Sequence, residues 1–385
     1  MIVTGEASGD LHGAKLIKAT RDMCGEVDFF GVGGPRMSAE GCDVLIPGEE
    51  LAVMGLVEVL GHFPVIWKAF QRLKRILQSD QRPDALVLID FPEFNLRLAR
   101  QAQRAGVPVL YYVSPQVWAW RRGRVKKIAR VVNRLAAIFP FEPDLYQGED
   151  IQVEYVGHPL LDEVDSTLER TDLLESLKIT SGARVVGLFP GSRQTELKSM
   201  LETLVAAAQL IHKRRPDIRF LVPIAAGLPL EEVRRHFPKE LPIDFISSEE
   251  MSIYAIARAC DAILTVSGTV TLQVALTGTP MAIFYKLSPL SYAIGKRLVR
   301  VDHIGLANIV AGKGVVREFI QNDATPENLA DEALKLVEDE EYASEIRDGL
   351  ASIQDRLGQP GCSERVARML LEMTAKMSEK IDDQK

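Results

Sequence analysis

At 385 residues the chain is long enough for two domains, each with a sizeable core. A net charge of −7 and a pI near 5.6 argue against a general nucleic-acid binder, although the basic residues cluster locally. Four scattered cysteines (Cys24, Cys42, Cys260, Cys362) form no Cys-x-x-Cys pair and have no histidine at ligand spacing, so they read as buried thiols of a reducing compartment.

No basic-then-apolar leader precedes the first strand, which argues against secretion, and the shortness of that strand points to a start a few residues upstream. Met1-Ile-Val-Thr runs into Gly5-Glu-Ala-Ser-Gly-Asp10, a strand, glycine loop and helix of the kind that opens a phosphate- or sugar-facing α/β domain. A second strand, residues 28–32, ends in Gly31-Val-Gly33-Gly34-Pro35-Arg36. Arg36 stands where the third glycine of a dinucleotide fingerprint belongs, and no strand-end acid follows at the required distance, so a nicotinamide enzyme is not indicated.

Residues 51–77 are rich in Leu, Val, Ile and Phe and carry Trp67, then close with Lys68, Arg72, Lys74 and Arg75. An amphipathic helix with large apolar residues and a basic face fits either a membrane-touching surface or a core-packing helix with a solvated side. Residues 85–89 form a fully apolar strand that delivers Asp90 at its carboxyl end, before Phe91-Pro92-Glu93-Phe94-Asn95. Ligand chemistry in open parallel sheets gathers there. A carboxylate fenced by Phe91, Pro92 and Phe94 would be partly desolvated, with a raised pKa suited to a general base. Asp90 also fits the N-cap of the following helix, and the two roles are compatible.

The next strand, residues 107–113, leads to Trp118 and Trp120 and then to Arg121, Arg122, Arg124, Lys126, Lys127, Arg130 and Arg134, with no acid among them. Tryptophans beside such a block suit nucleic acid, anionic lipid headgroups or a sugar phosphate. His158 has no flanking second ligand and reads as structural rather than metal-binding.

A polar linker with a short helix, residues 162–183, precedes a second α/β unit. Its first strand, residues 184–189, ends in Pro190-Gly191-Ser192-Arg193, an anion-friendly turn with a guanidinium capable of bidentate phosphate contact. Residues 219–224 and 243–246 supply further strands. Residues 261–286 then read strand, Ser267-Gly268-Thr269 turn, helix, Gly278-Thr279-Pro280 stop and strand, with no charge between the end residues. That is one crossover of a parallel sheet buried on both faces. Ser267 and Thr269 suit helix caps, and the open amides and positive dipole end suit a diphosphate. Residues 306–312 read as a loop carrying Asn308 as a polar contact, and from Pro326 onward the chain is helical in character.

Together these features predict two α/β halves hinged near residues 157–163, with the active site in the cleft between them. The Asp-x-Asp pair by which many glycosyltransferases hold a metal–nucleotide is absent. Arg193 and a helix N-terminus would instead hold a diphosphate without metal or other cofactor, while Asp90 deprotonates an acceptor hydroxyl. The expectation is an inverting, metal-independent nucleotide-sugar glycosyltransferase.

The ordered set GEASGDLHGA, GVGGPRM, LAVMGLVEVL, DFPEFN, YYVSPQVWAWRRGRVKKI, VGHPL, FPGSR, SGTVTLQ and KRLVRVDHIGLANIVAG closely resembles the lipid-A-disaccharide synthase family over roughly residues 2–320. The resemblance implies a glycosyltransferase-B fold: two Rossmann-like α/β/α domains facing across a cleft, with C-terminal helices packing back on the N-terminal domain. It implies an acceptor- and membrane-facing domain over residues 1–160, joined by helices from about 345 to 385, and a UDP-sugar-binding domain over residues 161–344. The implied reaction condenses UDP-2,3-diacylglucosamine with 2,3-diacylglucosamine 1-phosphate (lipid X), giving a β-1,6 disaccharide 1-phosphate and UDP. Carried over residue by residue, Asp90 is the base on the acceptor 6-hydroxyl, and Arg193, with Gly191 and Ser192, faces the UDP phosphates. Ser267, Gly268 and Thr269 form the phosphate-facing turn, Asn308 the nucleotide-side loop, and Glu6, Ser8 and Gly9 the first glycine loop. Two positions depart from the pattern: Gln273 stands where many relatives carry an acid for the ribose hydroxyls, and Glu93 replaces the more usual aspartate. With acylated substrates, Trp67 and Arg72 become candidates for an anionic membrane surface, and Trp118, Trp120, Arg121 and Arg122 for the acceptor phosphate or headgroups. The implied location is cytoplasmic, at the inner face of the inner membrane of a Gram-negative-type bacterium, with a homodimer left open. Another UDP-N-acetylglucosamine enzyme of the same fold (an undecaprenyl-linked transferase or a 2-epimerase) and a non-catalytic nucleotide-sugar-binding protein are the alternatives.

Overall fold

The computed structural model describes residues 1–51, 56–118, 122–164, 170–191, 194–225, 227–287 and 302–382, with backbone alone at 56–63, 122, 194–196, 198–199 and 376–382. The chain divides into two compact units, Met1–Asp162 with Gly358–Lys385, and Glu163–Leu357.

The first unit runs β1 (Ile2–Val3), α1 (Ala7–Cys24), β2 (Phe30–Gly33), α2 (Pro35–Ala39), β3 (Asp43–Pro47), α3 (Leu56–Leu77), β4 (Leu86–Ile89), α4 (Pro92–Arg104), β5 (Val109–Tyr112), α5 (Val125–Ala129), β6 (Arg134–Ala137) and β7 (Gln152–Tyr155). Its strands form one sheet in the order β3-β2-β1-β4-β5-β6-β7, every pair parallel. The central strands β4 and β5 are buried along their whole length, because helices cover both faces of a parallel sheet. The order reverses between β1 and β4, so the loops after these two strands diverge to opposite faces and leave a crevice at their carboxyl ends.

The second unit repeats the plan with β8 (Val185–Phe189), β9 (Arg219–Ile224), β10 (Ile243–Ser247), β11 (Ala262–Val266), β12 (Met281–Tyr285) and β13 (Glu318–Ile320), ordered β10-β9-β8-β11-β12-β13 and again all parallel. Its helices are α6 (Arg170–Ser176), α7 (Gln194–Arg214), α8 (Leu230–Arg234), α9 (Ile253–Ala259), α10 (Val270–Ala275), α11 (Leu306–Ala311), α12 (Pro326–Glu338) and α13 (Glu340–Arg356). The chain reverses between β8 and β11. The segment 306–312, expected as a loop, is the short helix α11, ended by Gly312 in the left-handed region at φ 67.

Of the C-terminal helices, α13 stays with the second unit, burying Ala343, Ile346, Leu350 and Ile353. Only the last, α14 (Cys362–Asp382), returns to the first unit. It packs on α1 and is tied to the sheet by the Tyr112 hydroxyl and Cys362 Sγ at 3.3 Å, by Arg365 Nε donating to the Val156 carbonyl at 2.8 Å, and by Arg134 Nη1 donating to the Met369 carbonyl at 2.9 Å. All four cysteines are free; three are buried as expected, whereas Cys24, at the last position of α1, is exposed.

Candidate active site

In the first unit the reversal point is occupied by the Gly5–Gly9 loop after β1 and by Asp90 after β4. Glycine lets the start of α1 close on the end of β1: a β-carbon on Gly9 would fall 1.8 Å from Thr4 Oγ1. Asp90 is not the helix cap. Phe91 takes that position, and both residues adopt left-handed backbone at φ 47, so the strand turns sharply into α4. The turn is held from behind by Asn95 Nδ2, which donates to the carbonyls of Asp90 at 2.7 Å and Ile89 at 3.2 Å, and by the Tyr111 hydroxyl, which donates to the Asp90 carbonyl at 2.5 Å. Neither holding residue stood out in the sequence, although Asn95 closes the DFPEFN run.

Asp90 lines a cavity of about 260 Å³ with Pro92, Val113, Ser114, Gln116 and Arg124 among its walls. Burial, and then the nearby Glu6 carboxylate, push its pKa up from 3.8 to about 6, against a smaller opposing effect of a backbone hydrogen bond at Phe91. A carboxyl in that range is largely ionised at neutral pH and still basic enough to accept a hydroxyl proton. Glu93 points elsewhere, paired with Arg124. Glu6 and Ser8 are exposed at the start of α1, whereas Gly9 is buried.

An aromatic ladder leads away from this turn: Phe91 stacks on Phe94 at 5.4 Å, Phe94 meets Phe70 edge-on at 5.8 Å, and Phe70 stacks with Trp67 at 6.2 Å. Trp67 is 52 % exposed, with Val65 also open to solvent. Arg72 donates to the Leu45 carbonyl at 2.8 Å and ties α3 to β3. Trp118 is a correction. It is only 6 % exposed, edge-on to Phe139 at 5.9 Å and Phe141 at 5.5 Å, so it belongs to the core and presents no face to lipid or phosphate. Trp120 and Arg121 lie outside the described residues, and Arg122 is described by its backbone only. His158 is buried, with Nδ1 accepting from the Leu160 amide at 3.2 Å, and burial pulls its pKa down to about 3, a neutral structural histidine.

In the second unit the corresponding reversal point holds Gly191 after β8 and Ser267-Gly268-Thr269 after β11. Gly191 is left-handed at φ 98, and a β-carbon there would lie 2.9 Å from Val266 Cγ2. Ser192 and Arg193 lie outside the described residues. Gly268 has φ 157 and nothing within 4 Å of a notional β-carbon, so the turn is open where a ligand would approach. The expected capping is not seen: Ser267 Oγ donates to the Ile304 carbonyl at 2.8 Å, and Thr269 makes no side-chain cap bond. Gln273 is hydrogen-bonded to the Tyr254 phenol.

Asn308 is also a correction. It is fully buried, with Nδ2 donating to the Val316 carbonyl and Glu318 Oε1 at 2.8 Å each, and Oδ1 accepting from the Val315 and Val316 amides at 2.8 and 2.9 Å. Its amide is spent on the fold, so it shapes the loop instead of touching a ligand. Glu318 completes this brace by accepting from the amides of Ile304 at 2.9 Å and Gly305 at 3.0 Å. No spacing marked Glu318 in advance.

The family described as lipid-A-disaccharide synthetase matches residues 1–370. This chain belongs to the lipid-A-disaccharide synthase family. The lipid-A-disaccharide synthase of Syntrophotalea carbinolica is 61 % identical over 374 residues, covering 97 % of this chain and 95 % of that one. That of Geobacter sulfurreducens is 49 % identical over 376 residues, covering 98 % and 97 %. Among solved structures, the UDP-GlcNAc 2-epimerase of Neisseria meningitidis bound to UDP-GlcNAc superposes with a TM-score of 0.64 at 15 % identity, covering 96 % of this chain and 99 % of that one. The glycotransferase of kitacinnamycin gives 0.63 at 17 %, covering 97 % of each. These two likenesses establish the shared fold of two Rossmann-like domains. Among the described residues no helix is long and apolar enough to cross a membrane, and no cluster of three or more His, Cys, Asp or Glu is placed to hold a metal ion.

Proposed function

We propose that the chain is an inverting glycosyltransferase of lipid A biosynthesis that joins UDP-2,3-diacylglucosamine to 2,3-diacylglucosamine 1-phosphate. The observation that carries this reading is Asp90: a strand-end carboxyl at the sheet's reversal point, beside a cavity, with a pKa raised to about 6. The Asp90 carboxylate takes the proton of the acceptor 6-hydroxyl as that oxygen attacks C1 of the donor sugar. The bond from C1 to the UDP oxygen breaks on the opposite face, and UDP leaves with the electron pair. Asp90 then returns its proton to water.

The leaving diphosphate needs positive charge and free amides. Arg193 supplies the first, and the open turn at Gly268, with Gly191 beside Val266, is suited to the second. Gln273 lies one helical turn on and takes the ribose side. No metal or cofactor enters this scheme.

The acyl chains of both substrates call for an apolar approach. The ladder from Trp67 through Phe70 and Phe94 to Phe91 supports reading α3 as the surface that meets anionic lipid at the cytoplasmic face of the inner membrane. The deciding experiment incubates purified protein with both diacyl substrates and looks for disaccharide 1-phosphate by mass spectrometry. Asp90→Asn is expected to lower turnover by ~10²–10⁴-fold while UDP affinity is kept. Arg193→Ala is expected to weaken both. Wild-type turnover in Asp90→Asn would end the proposal.

A further inference from the structure

Three residues without glycine's freedom take left-handed backbone at the carboxyl ends of two neighbouring strands: Asp90 and Phe91 after β4, both at φ 47, and Val113 after β5, at φ 58. Each such conformation costs on the order of 1–3 kcal/mol and persists only where the surroundings impose it. At Asp90 the imposing groups are visible. Its carbonyl oxygen accepts from the Tyr111 hydroxyl at 2.5 Å and from Asn95 Nδ2 at 2.7 Å. Both donors are fully buried, one on β5 and the other in the first turn of α4. With the carbonyl pinned to the interior, the Asp90 peptide plane is fixed, and its side chain is left on the wall of the cavity lined by Ser114, Gln116 and Arg124.

We propose that Tyr111 and Asn95 are positioning residues that latch the Asp90 carbonyl and thereby hold its carboxyl in the left-handed, cavity-facing geometry that proton abstraction requires. This rests on the reading of Asp90 as the general base. The latch does not titrate at working pH. Burial, with Asp90 next, drives the Tyr111 pKa well above its ordinary value, so the phenol remains a donor, and the Asn95 amide does not ionise. The charged and titratable groups facing this corner are Glu6 from the loop after β1, Tyr111 from β5 with Tyr146 behind it, and Arg124 ahead of α5, paired with Glu93.

The test uses Tyr111→Phe, which removes one oxygen and keeps the ring, and Asn95→Ala as an independent second variant. A base displaced by about 1 Å loses up to ~10²-fold in rate. Each variant is therefore expected to lower kcat by roughly 10–100-fold with the KM of either substrate changed less than about twofold. The acid limb of the kcat profile is expected to move to lower pH, because a released carboxyl regains water. In an Asp90→Asn background, Tyr111→Phe should cost no further rate, since its effect runs through the carboxyl that is gone. A kcat and an acid limb unchanged by both single variants, with Asp90→Asn inactive, would overturn the latch and leave the base in place. An equal loss of rate in both backgrounds, tracking a fall in Tm, would reduce Tyr111 to a structural residue and overturn it too. Full turnover in Asp90→Asn would remove the base itself, and the latch with it.

Discussion

A β-carbon on Gly5 would sit 2.7 Å from Cγ of Phe91, and 2.9 and 3.0 Å from the two ring carbons beside it. The first glycine loop is therefore a seat for the residue that follows Asp90. Gly5→Ala requires the Phe91 ring to move, and Phe91 shares the left-handed turn with Asp90. The expected outcome is a loss of kcat of roughly tenfold or more from displacing the base. Steady-state kinetics on the variant would show it, and an unchanged kcat would separate the loop from the base.

The acid limb of the rate profile should fall near pH 6. Asp90 must be ionised to accept a proton, and burial with the Glu6 charge holds its pKa at about 6. Turnover is expected to rise with pH through that value and to level off above it. A limb near the ordinary carboxylate value of 3.8 would place the working base elsewhere.

The same shift predicts a cost in stability. Asp90 binds its proton more tightly folded than unfolded, so the stability it contributes is complete below about pH 4 and is lost as pH rises through about 6. At pH 8 the fold carries a partly desolvated charge that Asp90→Asn removes. The variant should gain about 1–2 kcal/mol at pH 8, after discounting the full shift for partial exposure, and close to nothing at pH 4. Urea midpoints at the two values would decide it.

Asn308→Ala should destabilise the second unit. It leaves the Val316 amide and carbonyl without their buried partner, at about 1–3 kcal/mol for each unsatisfied group before relaxation, while the Val315 amide keeps the Lys313 carbonyl at 3.0 Å. A net loss of roughly 2–4 kcal/mol by chemical denaturation is expected. Affinity for UDP at a temperature where the variant is folded should change little, because the amide points into the fold. A large loss of UDP affinity with stability intact would restore Asn308 as a ligand contact.

Trp67→Glu should weaken sedimentation with vesicles containing anionic lipid and leave the unfolding midpoint within about 0.5 kcal/mol, since the side chain is exposed. Unchanged vesicle binding would remove α3 from the membrane reading.

The parts of the fold legible from the chain were those written in uninterrupted apolar runs. β4, β8, β11 and β12 are buried on both faces, so their residues 86–89, 185–189, 262–266 and 281–285 are almost wholly apolar. Edge strands β3 and β7 are half exposed along their length: β3 carries only the three-residue run Val44-Leu45-Ile46 and β7 none, so neither stood out. Trp118 illustrates the converse. Beside a block of arginines it resembles a surface residue, and only Phe139 and Phe141, some twenty positions on, bury it.

From the residues alone came the family, the two parallel sheets, and Asp90 as the acid delivered by a buried strand, because composition and strand-end position are local properties. The tertiary structure decided what that acid is like. Its raised pKa depends on burial and then on Glu6 from the loop after β1, its backbone on Tyr111 and Asn95, and its turn on the absent β-carbon of Gly5. It likewise decided that Asn308 and Ser267 brace loops and do not reach outward. Partners brought together across the sheet set dielectric, geometry and hydrogen-bond commitment, and no spacing along the chain encodes which of them will meet.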